Sequence, residues 1–212
     1  MKRIRHRLAI LLGLLCLLLL PQASFAAPAA GLEFKLAYTN GRYVVSMRPN
    51  ATPQSLNITL TSQVTIKVPH GVDADKFIVG EITNGVDGTE WTLTSRIDAP
   101  VEDATADYLS FTVAFSDGNH RAYAWKEGEA VEVFSFANTG ACLAAVELLD
   151  NSDPFMAAEN LMSTNPGNQI DVMELDEGNV YLGNYDTESA DCTSPDGKVV
   201  QKSFIFLPLI NP

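Results

Sequence analysis

The chain has 212 residues, of which 26 are acidic and 14 are basic, so its formal net charge at pH 7 is −12. Nucleic acids and anionic membrane surfaces repel such a chain, which excludes both as expected partners. The same surplus of carboxylates suits divalent cations and keeps an exported protein soluble.

The N-terminus predicts a secretory signal peptide at residues 1–26. A basic start, MKRIRHR, precedes the apolar run LAILLGLLCLLLL, which is too short to span a bilayer. Ser24 and Ala26 are small residues at the spacing that signal peptidase requires. We therefore expect cleavage after Ala26, with Ala29 as the second choice and an uncleaved anchor as the alternative. Cleavage after Ala26 leaves ten basic residues against 26 acidic ones, a net charge of −16.

The stretch LEFKLAYTNGRYVVSMRP predicts a β-hairpin with a known register. Asn40-Gly41 is the preferred two-residue turn, because both central residues need positive φ. Pairing about this turn sets apolar residues opposite apolar residues, as one buried sheet face requires. The expected pairs are Tyr38 with Tyr43, Leu36 with Val45, and Phe34 with Met47.

The next segment, SLNITLTSQVTIKVP, keeps its apolar side chains at even-numbered positions from 56 to 68. This alternation predicts one long strand, or two strands joined at Ser62-Gln63, with Leu60 facing inward and Thr59 outward. Pro69 and Gly71 end it. Turn-rich or acidic segments separate further strand candidates at residues 77–82, 90–97, 108–115 and 130–136.

After Gly140 the alternation loosens. ACLAAVELLD fits either a strand or a short helix. DPFMAAENLM has helix-forming composition, with Asp153 as N-cap and Pro154 at the first helical position. IDVMELDEGNVYLGNY returns to strand character. Eight to ten strands, one short helical excursion and no fixed repeat predict an all-β fold. We expect an antiparallel β-sandwich of immunoglobulin-like or jelly-roll type over residues 27–192.

The last residues, 193–212, form a polar connector followed by the apolar ending SFIFLPLINP. That ending predicts either a final edge strand, where Pro208 is tolerated, or an anchoring or sorting tail. The apolar run is much too short to cross a bilayer.

Two cysteines, Cys142 and Cys192, follow the signal peptide. In an oxidising compartment they predict a disulfide, while a metal site and a catalytic thiol are the alternatives. Neither alternative has a nearby histidine to support it.

Calcium is the one candidate cofactor. The turn LLDNSDP offers oxygen ligands from Asp150, Asn151 and Asp153, and hard cations need six to eight such oxygens. The turn does not match the calcium-loop consensus, and Asx-rich turns also simply connect strands. The metal-site prediction therefore competes with a purely structural one.

Catalytic motifs are not evident in the sequence. His70 and His120 both fall near predicted turns, where we expect solvated side chains. No nucleophile elbow or zinc-protease helix motif is present. A pair of carboxylates for hydrolysis is a remaining possibility, but 26 acidic residues always provide some suitable spacing.

Trp125 is the best candidate for contact with a sugar or a partner. It lies near a predicted turn, with Tyr123 and Arg121 close by. Exposed aromatic rings stack on sugars, but the same rings also fill cores. Trp91 shares its parity with Leu93, which favours the core for that tryptophan.

Three stretches carry a family resemblance: NITLTSQVTIKVPHG, VFSFANTGACLAAVELLDNSDPF and NPGNQIDVMELDEGNVYLGNYDTESADC. Together, over residues 31–192, they resemble a module of bacterial secreted and cell-surface proteins whose sandwich is similar to cohesin and related carbohydrate-binding folds. The resemblance implies an extracellular, non-catalytic part, with Cys142 bonded to Cys192 and loops free for partners. The ending FIFLPLI more weakly resembles the tails of some secreted bacterial proteins.

These observations favour a secreted or cell-surface module for adhesion or assembly, with an extracellular protein or glycan as partner. A carbohydrate-binding module is the alternative, and a carboxylate-dependent hydrolase is the third hypothesis. Exposed sheet edges and the apolar tail also allow self-association.

Overall fold

The computed structural model describes residues 29–193, except residues 121, 158, 159, 161, 187 and 188. The predicted signal peptide and the C-terminal tail lie outside the described residues. Within them, ten strands follow one another: β1 (Leu32–Thr39), β2 (Arg42–Pro49), β3 (Thr59–Pro69), β4 (Val79–Asn84), β5 (Thr89–Asp98), β6 (Ala106–Phe115), β7 (Val131–Asn138), β8 (Glu147–Leu148), β9 (Gln169–Val172) and β10 (Tyr181–Asn184).

The strands form two five-stranded sheets packed as a sandwich, which confirms the predicted fold class. The first sheet has the order β10-β1-β2-β7-β4. The second sheet has the order β5-β6-β3-β8, and β9 also pairs with β3. All pairs are antiparallel except β1 with β10, which is parallel. That parallel pair places the last described strand beside the first.

The hairpin register is confirmed. Tyr38 pairs with Tyr43, and the ladder continues in the predicted register to Leu32 and Pro49. Asn40 and Gly41 have φ values of 51° and 79°, the left-handed conformation that this turn requires. The local turn chemistry therefore sets the register of two strands of the first sheet.

The inward parity predicted for the start of β3 is wrong. Pairing with β9 shifts by one residue between Thr59 and Thr61, so a β-bulge lies at Leu60. Leu60 is 44% exposed, whereas Thr59 is fully buried. β3 is a single strand, and its predicted first three residues, 56–58, lie outside it.

The helical excursion is smaller than the sequence predicts. It consists of one 3-10 turn, Pro154–Met156, with Asp153 as N-cap accepting a hydrogen bond from the Phe155 amide. Two further 3-10 turns occur at Asp73–Asp75 and Ser116–Gly118. The predicted capping residue and first-turn proline are thus confirmed, but the turn does not extend into a helix.

Aromatic rings join the two sheets. Trp91 of the second sheet stacks on Phe134 of the first, with ring centroids 4.6 Å apart. Phe111 lies 5.1 Å from both Phe134 and Phe136. Such large apolar surfaces dominate core energetics, so these contacts hold the sheets together.

A second, smaller core lies on the other face of the second sheet. Phe155 packs on Tyr108 of β6, with ring centroids 4.5 Å apart. Ala106 and Leu149 complete this cluster, and Ile97 and Met156 border it. β6 is therefore buried on both faces over residues 106–111. We call the described part of residues 149–168, which builds this cluster, the cover segment.

Candidate functional site

The predicted disulfide is present: Cys142 and Cys192 are bonded, with Cα atoms 5.7 Å apart. It joins the segment after β7 to the segment after β10, and an isolated bridge between Val146 and Ala190 lies beside it. A disulfide fits an oxidising environment.

Trp125 and Tyr123 do not form the exposed aromatic surface expected from the sequence. Trp125 is 0% exposed and Tyr123 is 5% exposed. Their rings are stacked at 4.7 Å within the core, and the Tyr123 hydroxyl accepts a hydrogen bond from Trp91. A ring inside the core offers no face to a sugar, so this geometry gives the pair a packing role. Arg121 lies outside the described residues.

Three polar contacts explain why Trp125 is buried. Its indole Nε1 donates to Thr59 Oγ1 at 2.8 Å, and Thr59 is itself fully buried. The Asn57 side chain holds the Trp125 backbone, accepting from its N–H at 3.2 Å and donating to its C=O at 3.1 Å. Asn57 adopts a positive φ of 47° to do so. These partners are more than 60 residues away in sequence, so local pattern does not reveal them.

Two of the three residues predicted for calcium, Asp150 and Asp153, make structural contacts. Asp150 Oδ1 accepts hydrogen bonds from both the amide and the hydroxyl of Ser152, which lower the pKa of Asp150. Asn151 is exposed in the same turn. Asp153 caps the 3-10 turn and pairs with Lys67. In the described part of the chain, no cluster of three or more His, Cys, Asp or Glu side chains could hold a metal ion.

Lys67 lies between two carboxylates on the outer face of the second sheet. Its Nζ is 2.6 Å from Asp153 Oδ2 and 2.7 Å from Asp103 Oδ2. The Tyr108 hydroxyl donates to Asp153 Oδ1 at 2.8 Å. This network ties β3, β6, the loop between β5 and β6 and the cover segment together.

Electrostatics in this network favour the charged forms of Lys67 and Asp103 and the neutral form of Tyr108. Burial alone would lower the Lys67 pKa, but hydrogen bonds to Asp103 and Asp153 outweigh it and raise that pKa. Hydrogen bonds from Lys67 and Thr105 lower the pKa of Asp103 to about 2. Burial and the hydrogen bond to Asp153 raise the pKa of Tyr108. A permanently charged lysine and a hydrogen-bonded tyrosine suit an anchor rather than a proton-transfer site.

His70 is exposed, as predicted, but its side chain also has a buried partner. Its Nδ1 lies 2.6 Å from Asp107 Oδ1, and the Asp107 side chain is fully buried. Arg96 donates to the other Asp107 oxygen at 2.7 Å, and the Ala99 amide donates to Oδ1 at 3.2 Å. Both oxygens of the Asp107 carboxylate therefore accept hydrogen bonds, and these bonds join the edge strand β5 and the end of β3 to β6. His120 lies in a turn and is half-buried, with its Nδ1 2.9 Å from the Gly118 carbonyl.

A cleft of about 290 Å³ opens beside the second core, between the outer face of the second sheet and the cover segment. We call it the outer cleft. Strands β3, β5 and β6 form its floor, and the cover segment forms one wall. It is lined by Gln63, Thr94, Ser95, Ile97, Tyr108, Ser110, Phe155, Thr164, Asn165 and Pro166.

Specific hydrogen bonds hold the cover segment over this cleft. Gln63 Nε2 donates to the carbonyls of Asn165 at 2.9 Å and Gly167 at 2.8 Å. Asn168 is buried, accepting from the Thr65 amide and donating to the Leu149 carbonyl. The wall is therefore fixed to β3 at Asn165, Gly167 and Asn168. Sequence reasoning missed this site, and its one signal was the aromatic Tyr108 on a face of β6 whose other residues are small: Ala106, Ser110, Thr112 and Ala114.

Fold and site together define an all-β, two-sheet sandwich domain with an intramolecular disulfide and one covered outer face. Comparison with protein-family models and with curated proteins finds no match for this chain. Among the described residues, no helix has the length and apolar character needed to span a membrane.

Proposed function

We propose that this protein is a secreted or cell-surface module for adhesion or assembly, without catalytic activity and similar to cohesin-like and related binding sandwiches. The outer cleft is the observation that carries the proposal. A sandwich needs only its inner faces buried to be stable, yet this chain also builds a cover over an outer face. The cover stops short of closing that face and leaves a cleft whose wall is hydrogen-bonded to β3.

The composition and the disulfide support an extracellular setting. The predicted signal peptide exports the chain, and the Cys142–Cys192 bond suits the oxidising conditions outside the cell. The surplus of acidic residues keeps such a protein soluble and away from anionic surfaces.

The polar networks favour binding over catalysis. Asp107 is bonded to Arg96, His70 and a backbone amide, and Asp153 is bonded to Lys67 and Tyr108. Catalytic acids and bases must exchange protons with a substrate. Carboxylates engaged in this way serve instead to fix strand and cover positions.

The test is binding of the fluorescently labelled mature protein to intact cells of the organism that produces it. We expect saturable binding in flow cytometry that falls at least about tenfold with Ser95→Trp, which fills the outer cleft. Ser46→Trp is the matched control, because Ser46 lies on the outer face of the first sheet. Unchanged melting temperatures would show that both variants fold.

Two results would overturn the proposal. One is the lack of saturable binding by the unmodified protein. The other is equal loss of binding in both variants, which would separate binding from the outer cleft.

A further inference from the structure

The outer cleft carries no charged side chain, although the protein is strongly acidic. None of its ten lining residues is Asp, Glu, Lys or Arg. The whole chain contains 26 acidic residues, and other grooves follow that trend: one beside β8 is lined by Glu147, Asp150 and Asp186. A charged ligand would find no partner within the outer cleft, and an anionic ligand would also meet the repulsion of the whole molecule.

The cleft instead offers neutral hydrogen-bonding groups. Gln63 is held by its Nε2, which leaves its Oε1 to accept a hydrogen bond, since no described residue donates to that atom. Likewise, no hydrogen bond from the Ser95 hydroxyl or from the Asn165 Nδ2 reaches a described residue. Thr94 donates to the Ser110 carbonyl and keeps acceptor capacity. Thr94 and Asn165 are exposed, so ligands can reach this edge of the cleft.

Apolar surface lies beside these polar groups. Ile97 is half-buried and supplies accessible apolar surface, whereas Tyr108, Phe155 and Pro166 line the cleft from behind as buried residues. The volume, about 290 Å³, is at the lower end of the range for small-molecule sites. A ligand that fits must therefore be small, or be the short part of a chain, and must combine hydroxyl groups with C–H surface.

We propose that the outer cleft binds a short segment of a neutral, hydroxyl-rich glycan. Uncharged sugars present hydroxyls that both donate and accept, which matches the amide and hydroxyl groups of Gln63, Ser95 and Asn165. Their C–H faces pack on apolar side chains such as Ile97. This inference rests on the proposed role as a binding module and names the chemical class of its ligand. It concerns a different site from the buried pair Tyr123 and Trp125.

Affinity gel electrophoresis of the mature protein tests the inference. The probes are soluble neutral polysaccharides (xylan, glucomannan and mixed-linkage β-glucan) and the acidic polygalacturonate. We expect retardation by at least one neutral polymer and by no acidic polymer. Titration calorimetry with oligosaccharides of the retarding polymer should show about tenfold weaker binding for Asn165→Ala and no detectable binding for Ser95→Trp. Ser46→Trp should bind as the unmodified protein does.

The outcomes separate this inference from the proposed function. Cell binding that Ser95→Trp removes, without retardation by any neutral polymer, would overturn the glycan inference and leave the binding module standing, with a protein partner in its place. If the unmodified protein neither binds cells nor is retarded by a neutral polymer, the glycan inference and the proposed binding function are both overturned. Retardation by polygalacturonate, or unchanged affinity in Ser95→Trp, would also overturn the inference.

Discussion

At the scale of single residues, distant partners decide which polar and aromatic side chains are buried. Trp125 lies near a turn, where sequence favours exposure, yet Thr59 and Asn57 hold it in the core. Asp107 is fully buried because Arg96 and the exposed His70 pair with its carboxylate. A buried polar atom is costly unless it is paired, so each such pair acts as a unit.

The Trp125–Thr59 pair gives the first prediction. Trp125→Phe leaves the Thr59 hydroxyl buried without its donor, and Thr59→Val leaves the indole N–H without an acceptor. Each substitution should lower the free energy of unfolding by about 2 kcal/mol. The double variant should cost less than the sum, because both polar groups are then gone. Urea unfolding measures all three, and strictly additive costs would contradict the pairing.

The Lys67 network gives the second prediction. Lys67→Met leaves Asp103 and Asp153 without their cation. It should lower the free energy of unfolding by about 2 kcal/mol near neutral pH. This is less than for a fully buried ion pair, because the lysine side chain is 27% exposed. The pKa of Asp103 is lowered in the folded state from 3.8 to about 2. Its stabilisation is therefore complete above pH 4 and is lost as the pH falls towards 2.

The destabilisation by Lys67→Met should accordingly shrink in that acidic range. Urea unfolding across this range measures the change. Lys126→Met is the control, because Lys126 forms an exposed pair with Glu129 and should change stability little at any pH. A Lys67→Met cost that did not vary with pH would contradict the assignment.

At the scale of elements, a local signal succeeds when the turn itself sets the geometry. The Asn40-Gly41 turn determines the β1–β2 register without help from the rest of the chain. The bulge at Leu60 has no comparable local signal, because it depends on pairing with β9, more than 100 residues later. One extra residue there turns the Thr59 side chain towards the core and the Leu60 side chain towards solvent.

The disulfide gives the third prediction. It spans 50 residues that contain β8, β9, β10 and the cover segment. Closing a loop of this length stabilises by about 4 kcal/mol on the chain-entropy model. The double variant Cys142→Ser, Cys192→Ser should lose about that much in urea unfolding. Mass spectrometry after alkylation under denaturing conditions should find no free thiol in the unreduced mature protein, which lacks Cys16, and two modified thiols would contradict the bond.

At the scale of the whole molecule, the two sheets share one aromatic core and should unfold together. Trp91 of the second sheet stacks on Phe134 of the first, and Tyr123 connects Trp91 to Trp125. We predict a single cooperative transition in which fluorescence and far-ultraviolet circular dichroism coincide. The single-tryptophan variants Trp91→Phe and Trp125→Phe should each report the same midpoint by both methods. An earlier unfolding transition seen by only one of the two methods, in either variant, would contradict a shared core.

The sequence by itself determined the all-β class, the first hairpin with its register, the N-cap at Asp153 and the cysteine pair. The fold class, the hairpin and the N-cap follow from alternation and turn chemistry between residues that are close in sequence. The disulfide follows from the presence of two cysteines after the signal peptide. The outer cleft was not predictable in this way. Its floor comes from β3, β5 and β6, and its wall comes from residues about 50 or more positions further along the chain.

Only the tertiary structure decided which faces are buried and which groups are left free to bind. The reason is physical: burial depends on what packs against a face, and hydrogen bonding depends on partners from other strands. Tyr108 shows this clearly, since it lies on the face of β6 opposite the core residues Leu109 and Phe111, and the cover segment nevertheless buries it. The same packing left Ser95 and Asn165 at the edge of an uncharged cleft.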